Sequence, residues 1–90
     1  MDTWIDRLAT ALGEDPLTDA DTTRLLSSAR DVAHRVERRI TPLATFLLGT
    51  ATGRRMAEGA SRDDALASAL ETLEALLPDE PADGSNGSTG

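Results

Sequence analysis

The stretch ARDVAHRVERRITPLATFLLGT, residues 29–50, contains the junction that decides the fold, because a Thr-Pro pair divides it into two different patterns. Before the pair, apolar residues recur at helical spacing and form one stripe on a helix of residues 19–40. Thr41 can cap a helix, and Pro42 suits the first helical turn because no backbone donor is lost there. The pattern predicts two consecutive helices that meet at this pair.

Two further helices are predicted on either side of that junction. The first covers about residues 3–12, where Thr3 and Asp6 have the spacing of a capping box. The last one begins after Ser61, a good N-cap residue, and ends before Pro78. Both have apolar residues at helical spacing, so each has one face to bury.

Four helices with short connectors predict an all-α fold, a compact four-helix bundle-like domain over residues 1–78. Residues 79–90 are acidic and rich in glycine and serine, without an apolar anchor, and we expect them to form a disordered tail. The sequence thus predicts one domain followed by a tail.

The predicted third helix, about residues 42–58, is apolar on two sides, so it is either central in its own domain or covered by a partner. Two glycines in it each cost about 1 kcal/mol relative to alanine, which indicates a close approach of another backbone. The first interpretation is a helix crossing inside the domain, and the second is a contact with another chain. The candidate interface residues are Phe46, Gly49, Gly53 and Met56.

Composition excludes several classes of protein. The 90 residues carry a net charge of −7, which disfavours nucleic-acid binding, and they include no cysteine for disulfides or zinc sites. The amino terminus lacks a signal-peptide pattern, and no stretch approaches the roughly 18 apolar residues of a membrane span. We expect a cytoplasmic protein that binds neither nucleic acid nor membrane.

The polar face of the predicted second helix is mostly basic towards its end. Helical spacing brings Asp31, His34 and Arg38 together, so all three can touch one bound group such as a phosphate or a carboxylate. The alternative is an ordinary solvated face, because arginines near a helix end complement its dipole and surface ion pairs contribute little. The candidate ligand- or partner-binding residues are Arg30, Asp31, His34, Arg35, Arg38 and Arg39.

Catalytic arrangements are absent from the pattern. A single histidine and the lack of cysteine argue against most metal sites, and no phosphate-binding loop or nucleophile elbow is present. The sequence therefore predicts no catalytic residue, no metal and no cofactor.

Several of these features occur together in a known pattern: TWIDRLATALG at residues 3–13, the run Ala29–His34, Arg38, Pro42 and TFLLG at residues 45–49. Over about residues 3–77 the chain resembles a small uncharacterised bacterial helical domain. That domain occurs alone or at the C-terminus of nucleotidyltransferase-like proteins of molybdenum-cofactor guanylylation. The resemblance implies a context in molybdenum-cofactor metabolism and no catalytic residues.

Three hypotheses for the function follow. The first is a non-catalytic accessory module that binds a protein partner, with a nucleotidyltransferase or a cofactor-maturation protein as the class that the resemblance implies. The second is a domain that binds a small anionic ligand, a pterin or a nucleotide. The third is a homodimer formed through the third helix at Gly49 and Gly53.

Overall fold

The computed structural model describes residues 3–79, and within that range the chain is helical and contains no strand. The prediction of an all-α fold is confirmed. The predicted tail lies outside the described residues from residue 80 onward. The α-helices are α1 (Trp4–Ala11), α2 (Asp19–Val32), α3 (Thr41–Ala57) and α4 (Arg62–Leu76).

Hydroxyl side chains begin three of these helices. Thr3, Thr18 and Ser61 each accept a hydrogen bond from the backbone N–H three residues ahead, at 3.2, 3.0 and 3.1 Å. Each bond satisfies one of the N–H groups that a helix start leaves without a partner. The caps predicted at Thr3 and Ser61 are confirmed.

The junction between α2 and α3 differs from the predicted one. The regular α-helix ends at Val32. It is followed by one π-helical turn (Ala33–Glu37) and one 3₁₀ turn (Arg38–Ile40). Glu37, the last residue of the π-helical turn, has extended backbone, with φ −166° and ψ 132°. The prediction of a continuous helix over residues 19–40 is wrong, because the chain reverses direction here to start α3. The predicted cap at Thr41 is also wrong: its N–H bonds the carbonyl of Arg38, and Ile40 is the N-cap residue.

Two contacts between chain segments define how the helices run. The Arg62 guanidinium, at the start of α4, donates to the Asp15 carbonyl before α2 at 2.7 Å. Arg35, beyond α2, donates to the carbonyl of Pro78, beyond α4, at 3.5 Å. Helices α2 and α4 therefore run parallel, and α3 returns between them in the opposite direction.

The core lies mainly on α4. Leu70 is completely buried, and Leu66 and Ala69 pack with it against Leu48 of α3. By contrast, α3 buries only two of its residues, Leu48 and Thr52. The third helix is therefore not the central one, and much of its apolar surface lies outside the core.

Helix α1 contributes no buried residue. Trp4 and Ile5 of the helix and Leu12 at its C-cap are 65%, 46% and 66% exposed, and Leu8 between them is half-buried. The core thus involves three helices, α2 to α4, and the predicted bundle-like packing of four helices is not confirmed. The physical reason is that α1 is only eight residues long and follows a connector held at the start of α4, so its apolar side chains stay outside the core.

None of the helices among residues 3–79 has the length and apolar character needed to cross a membrane.

Candidate functional site

The break at Glu37 divides the basic surface predicted from the second helix. His34 lies in the π-helical turn, whereas Arg38 and Arg39 lie in the 3₁₀ turn beyond the extended residue. The prediction that His34 and Arg38 are neighbours on one helix face is therefore wrong, because such a contact requires a continuous helix between them.

Most side chains of this basic surface lie in solvent. Arg30, His34, Arg38 and Arg39 are exposed. Arg39 lies 3.8 Å from a carboxylate oxygen of Glu37, with both side chains largely in solvent.

Asp31 and Arg35, by contrast, are half-buried and lie four residues apart in the sequence. Among the described residues no ion pair within 4.0 Å joins them, and Arg35 instead donates to a backbone carbonyl near the end of α4. A binding role for the six predicted residues stays a prediction.

The predicted interface face of α3 is open. No heavy atom beyond the helix backbone and the adjoining residues lies within 4 Å of the position that a Cβ would take at Gly49 or Gly53. Phe46 is 72% exposed and Met56 is 38% exposed. A close helix crossing inside the domain, the first interpretation of the two glycines, is wrong. Contact with another chain stays a prediction.

An apolar groove of about 370 Å³ lies beside the core, between the end of α2, one side of α3 and the second half of α4. We call it the α3–α4 groove. Its volume is in the range of sites that bind ligands or partner side chains. Its lining residues are Val32, Val36, Ile40, Ala44, Leu47, Leu48, Ala51, Arg55, Ala69, Thr72, Leu73, Leu76 and Leu77.

The groove is open to solvent along its rim. Leu48 and Ala69 are buried at its base, whereas Leu47 and Leu76 at its edges are 66% and 80% exposed. Large apolar side chains gathered at one exposed place are typical of protein-binding surfaces. One signal for this groove was present in the sequence, namely the apolar character of the third helix on two sides.

Arg55 is the single charged residue of the groove lining. The side chain is half-buried, and its Nη1 atom is shielded from solvent and has no hydrogen-bond partner among residues 3–79. A buried donor without an acceptor costs free energy, more so when it belongs to a charged group. The groove thus offers apolar surface together with one unsatisfied N–H donor. Sequence reasoning missed Arg55, since Arg54 beside it occupies the same last turn of the helix.

The chemistry available in the groove is that of binding. Beside the apolar side chains and Arg55, the lining contains only one hydroxyl group, that of Thr72. Among residues 3–79, no three histidine, aspartate or glutamate side chains gather as metal ligands.

Comparison with curated proteins and with solved structures finds no match to the chain. The family model described as Domain of unknown function (DUF6457) matches residues 1–85, and the chain belongs to that family.

Proposed function

We propose that this domain is a non-catalytic interaction module that receives an apolar helix of a protein partner in the α3–α4 groove. The observation that carries the proposal is the open apolar groove with the unpartnered Nη1 of Arg55 in its lining. The partner segment supplies apolar side chains to the groove and an acceptor to the arginine.

A helical segment suits the shape of this surface. The groove follows two packed helices, and its rim residues Leu47 and Leu76 remain largely exposed. An amphipathic helix lays its apolar side chains into such a groove at positions three and four residues apart. Each Leu-sized side chain that becomes fully buried contributes about 1.5–3 kcal/mol. Arginine is also enriched at the centres of protein interfaces, where it finds acceptors on the partner.

The partner class that we propose comes from the resemblance described above. It is a nucleotidyltransferase or cofactor-maturation protein of molybdenum-cofactor metabolism, to which this domain acts as an accessory. The exposed face of α3 with Phe46 and Met56 lies on the same helix as the groove and extends the surface available to that partner.

The test is a binding titration of the purified chain against a purified molybdenum-cofactor guanylyltransferase. Leu47→Asp places a charge on the groove rim, and we expect it to weaken binding by at least about tenfold. Leu26→Asp is the matched control, because Leu26 is 64% exposed on α2 and does not line the groove. An equal loss in both variants, or binding unaffected by Leu47→Asp, would contradict the proposal.

A further inference from the structure

Helix α1 has an apolar face that the chain itself does not cover. A capping box between Thr3 and Asp6 holds the helix together from its first turn. Trp4, Ile5 and Leu12 nevertheless stay about half to two-thirds exposed, and no residue of the helix is buried. An amphipathic helix gains most of its stability from packing, so the apolar face of α1 lacks the packing contact that would stabilise the helix.

The same chain thus presents an uncovered amphipathic helix and an uncovered apolar groove. We propose that α1 of a second copy occupies the α3–α4 groove, and that two chains exchange their first helices in a symmetric dimer. This inference uses the groove of the proposed function, although it does not require the protein partner named there.

The geometry favours a second copy over the chain's own α1. Arg62 holds Asp15 at the start of α4, whereas the groove residues of α4 begin at Ala69, about 10 Å further along the helix. The intervening residues 12–14 form the turn that ends α1, in which the N–H of Glu14 bonds the carbonyl of Ala9 at 2.8 Å. No extended residue is left to carry α1 into the groove of its own chain.

Charge complementarity supports the same pairing. Residues 3–18, which contain α1 and its connector, carry three carboxylates and one arginine. Residues 30–55, which form one wall of the groove and its surroundings, carry six arginines and two carboxylates. The last turn of α1 also contains no basic residue that would repel Arg55 in the groove lining.

Two-fold symmetry makes the contact large enough for a stable dimer. Each chain gives one helix and receives one, so the dimer contains the contact twice and closes without further copies. It buries Trp4, Ile5 and Leu12 from both chains against both grooves. A fully buried tryptophan accounts for about 150–250 Å², so most of the roughly 1,200–2,000 Å² of a standard interface has to come from Ile5, Leu12 and the groove side chains of both chains.

The experiment uses the full chain and its only tryptophan, Trp4. Molar mass by light scattering and tryptophan emission are measured together over a dilution series. We expect a dimer with blue-shifted emission at high concentration, and a monomer with the emission of exposed tryptophan after dilution. A monomer at every concentration would overturn the proposal, even if its emission is blue-shifted, because that result places α1 in its own groove.

Two variants separate the two sides of the contact. Ile5→Asp removes an apolar side chain from α1 while placing a favourable charge in its first turn, so the helix remains. Leu47→Asp changes the groove. We expect each variant alone to weaken dimerisation by at least about tenfold, with Leu26→Asp as the unaffected control.

Mixing the two variants provides the decisive result. One intact helix, from the Leu47→Asp chain, then meets one intact groove, in the Ile5→Asp chain, so we expect a heterodimer that neither variant forms alone. A dimer that survives Ile5→Asp would overturn the proposal and assign association to another face, such as that of Gly49 and Gly53. A monomer that still binds the guanylyltransferase through Leu47 would overturn the dimer and leave the proposed function standing.

Discussion

Arg54 and Arg55 show how two identical neighbouring residues acquire different properties. Both lie in the last turn of α3, where a positive charge complements the helix dipole. Arg54 is exposed, whereas Arg55 is half-buried in the groove lining and has a shielded Nη1 without a partner. The unpaired donor therefore lowers the stability of the free chain, and an acceptor on a bound partner would remove this free-energy cost.

Replacing Arg55 by methionine is therefore expected to leave the monomer as stable as before, or more stable by up to about 2 kcal/mol, since an unsatisfied buried donor is lost. The measurement is urea unfolding followed by far-UV circular dichroism, in the Ile5→Asp background so that the proposed dimer does not contribute. Arg54→Met serves as control, with a change within about 0.5 kcal/mol. A clear loss of stability in Arg55→Met alone would show that the guanidinium has a partner in the monomer.

Among the helices, Gly53 within α3 and Gly59 just beyond its end differ in whether another residue could replace the glycine. Gly53 lies in regular helix with open space around it, whereas Gly59 beyond the helix end has φ +111°, a conformation that residues with a Cβ rarely adopt. The first glycine is thus replaceable in the free chain, and the second is needed to turn the chain towards α4.

Alanine at the two positions should change the free energy of unfolding in opposite directions. We expect Gly53→Ala to raise it by about 0.5–1 kcal/mol, because alanine favours helix, and Gly59→Ala to lower it by about 1–3 kcal/mol through backbone strain. Thermal and urea unfolding of both variants test this pair. A destabilising Gly53→Ala would mean that another backbone approaches this face after all.

At the scale of the whole molecule, the core and the first helix are separate. Helices α2 to α4 enclose Leu70 and its neighbours, and α1 adds no buried side chain to them. Because stability depends mainly on buried apolar area, we expect the three-helix unit to account for nearly all of the free energy of unfolding.

Deletion of residues 1–14 tests this division and keeps Asp15 as the acceptor for Arg62. The shortened chain should unfold cooperatively in urea, with a loss of no more than about 1 kcal/mol, because few contacts disappear. Circular dichroism at 222 nm follows the transition. A shallow, non-cooperative transition would instead place α1 in the core. Light scattering on the same sample should give a monomer if α1 forms the dimer contact.

Local sequence signals accounted for several elements and for part of the candidate site. Thr3 and Ser61 cap the helices they were predicted to cap, because capping depends on residues within one turn. The end of the second helix was missed, since Glu37 becomes extended only to let the chain reverse direction. The open face of Phe46 and Gly49 followed from the two-sided pattern of α3, although the pattern left open whether the domain would cover it.

Local residue patterns were enough to establish the helical character of the chain, the starts of three helices and the positions of the apolar residues. The reason is that caps and periodicity act over a few residues. Only the tertiary structure decided that α4 is central, that α1 stays outside the core and that Arg55 enters a groove with an unpaired donor. These properties depend on which helix faces meet. Apolar burial is non-directional, so the periodicity within one segment does not specify which face of another helix it will meet.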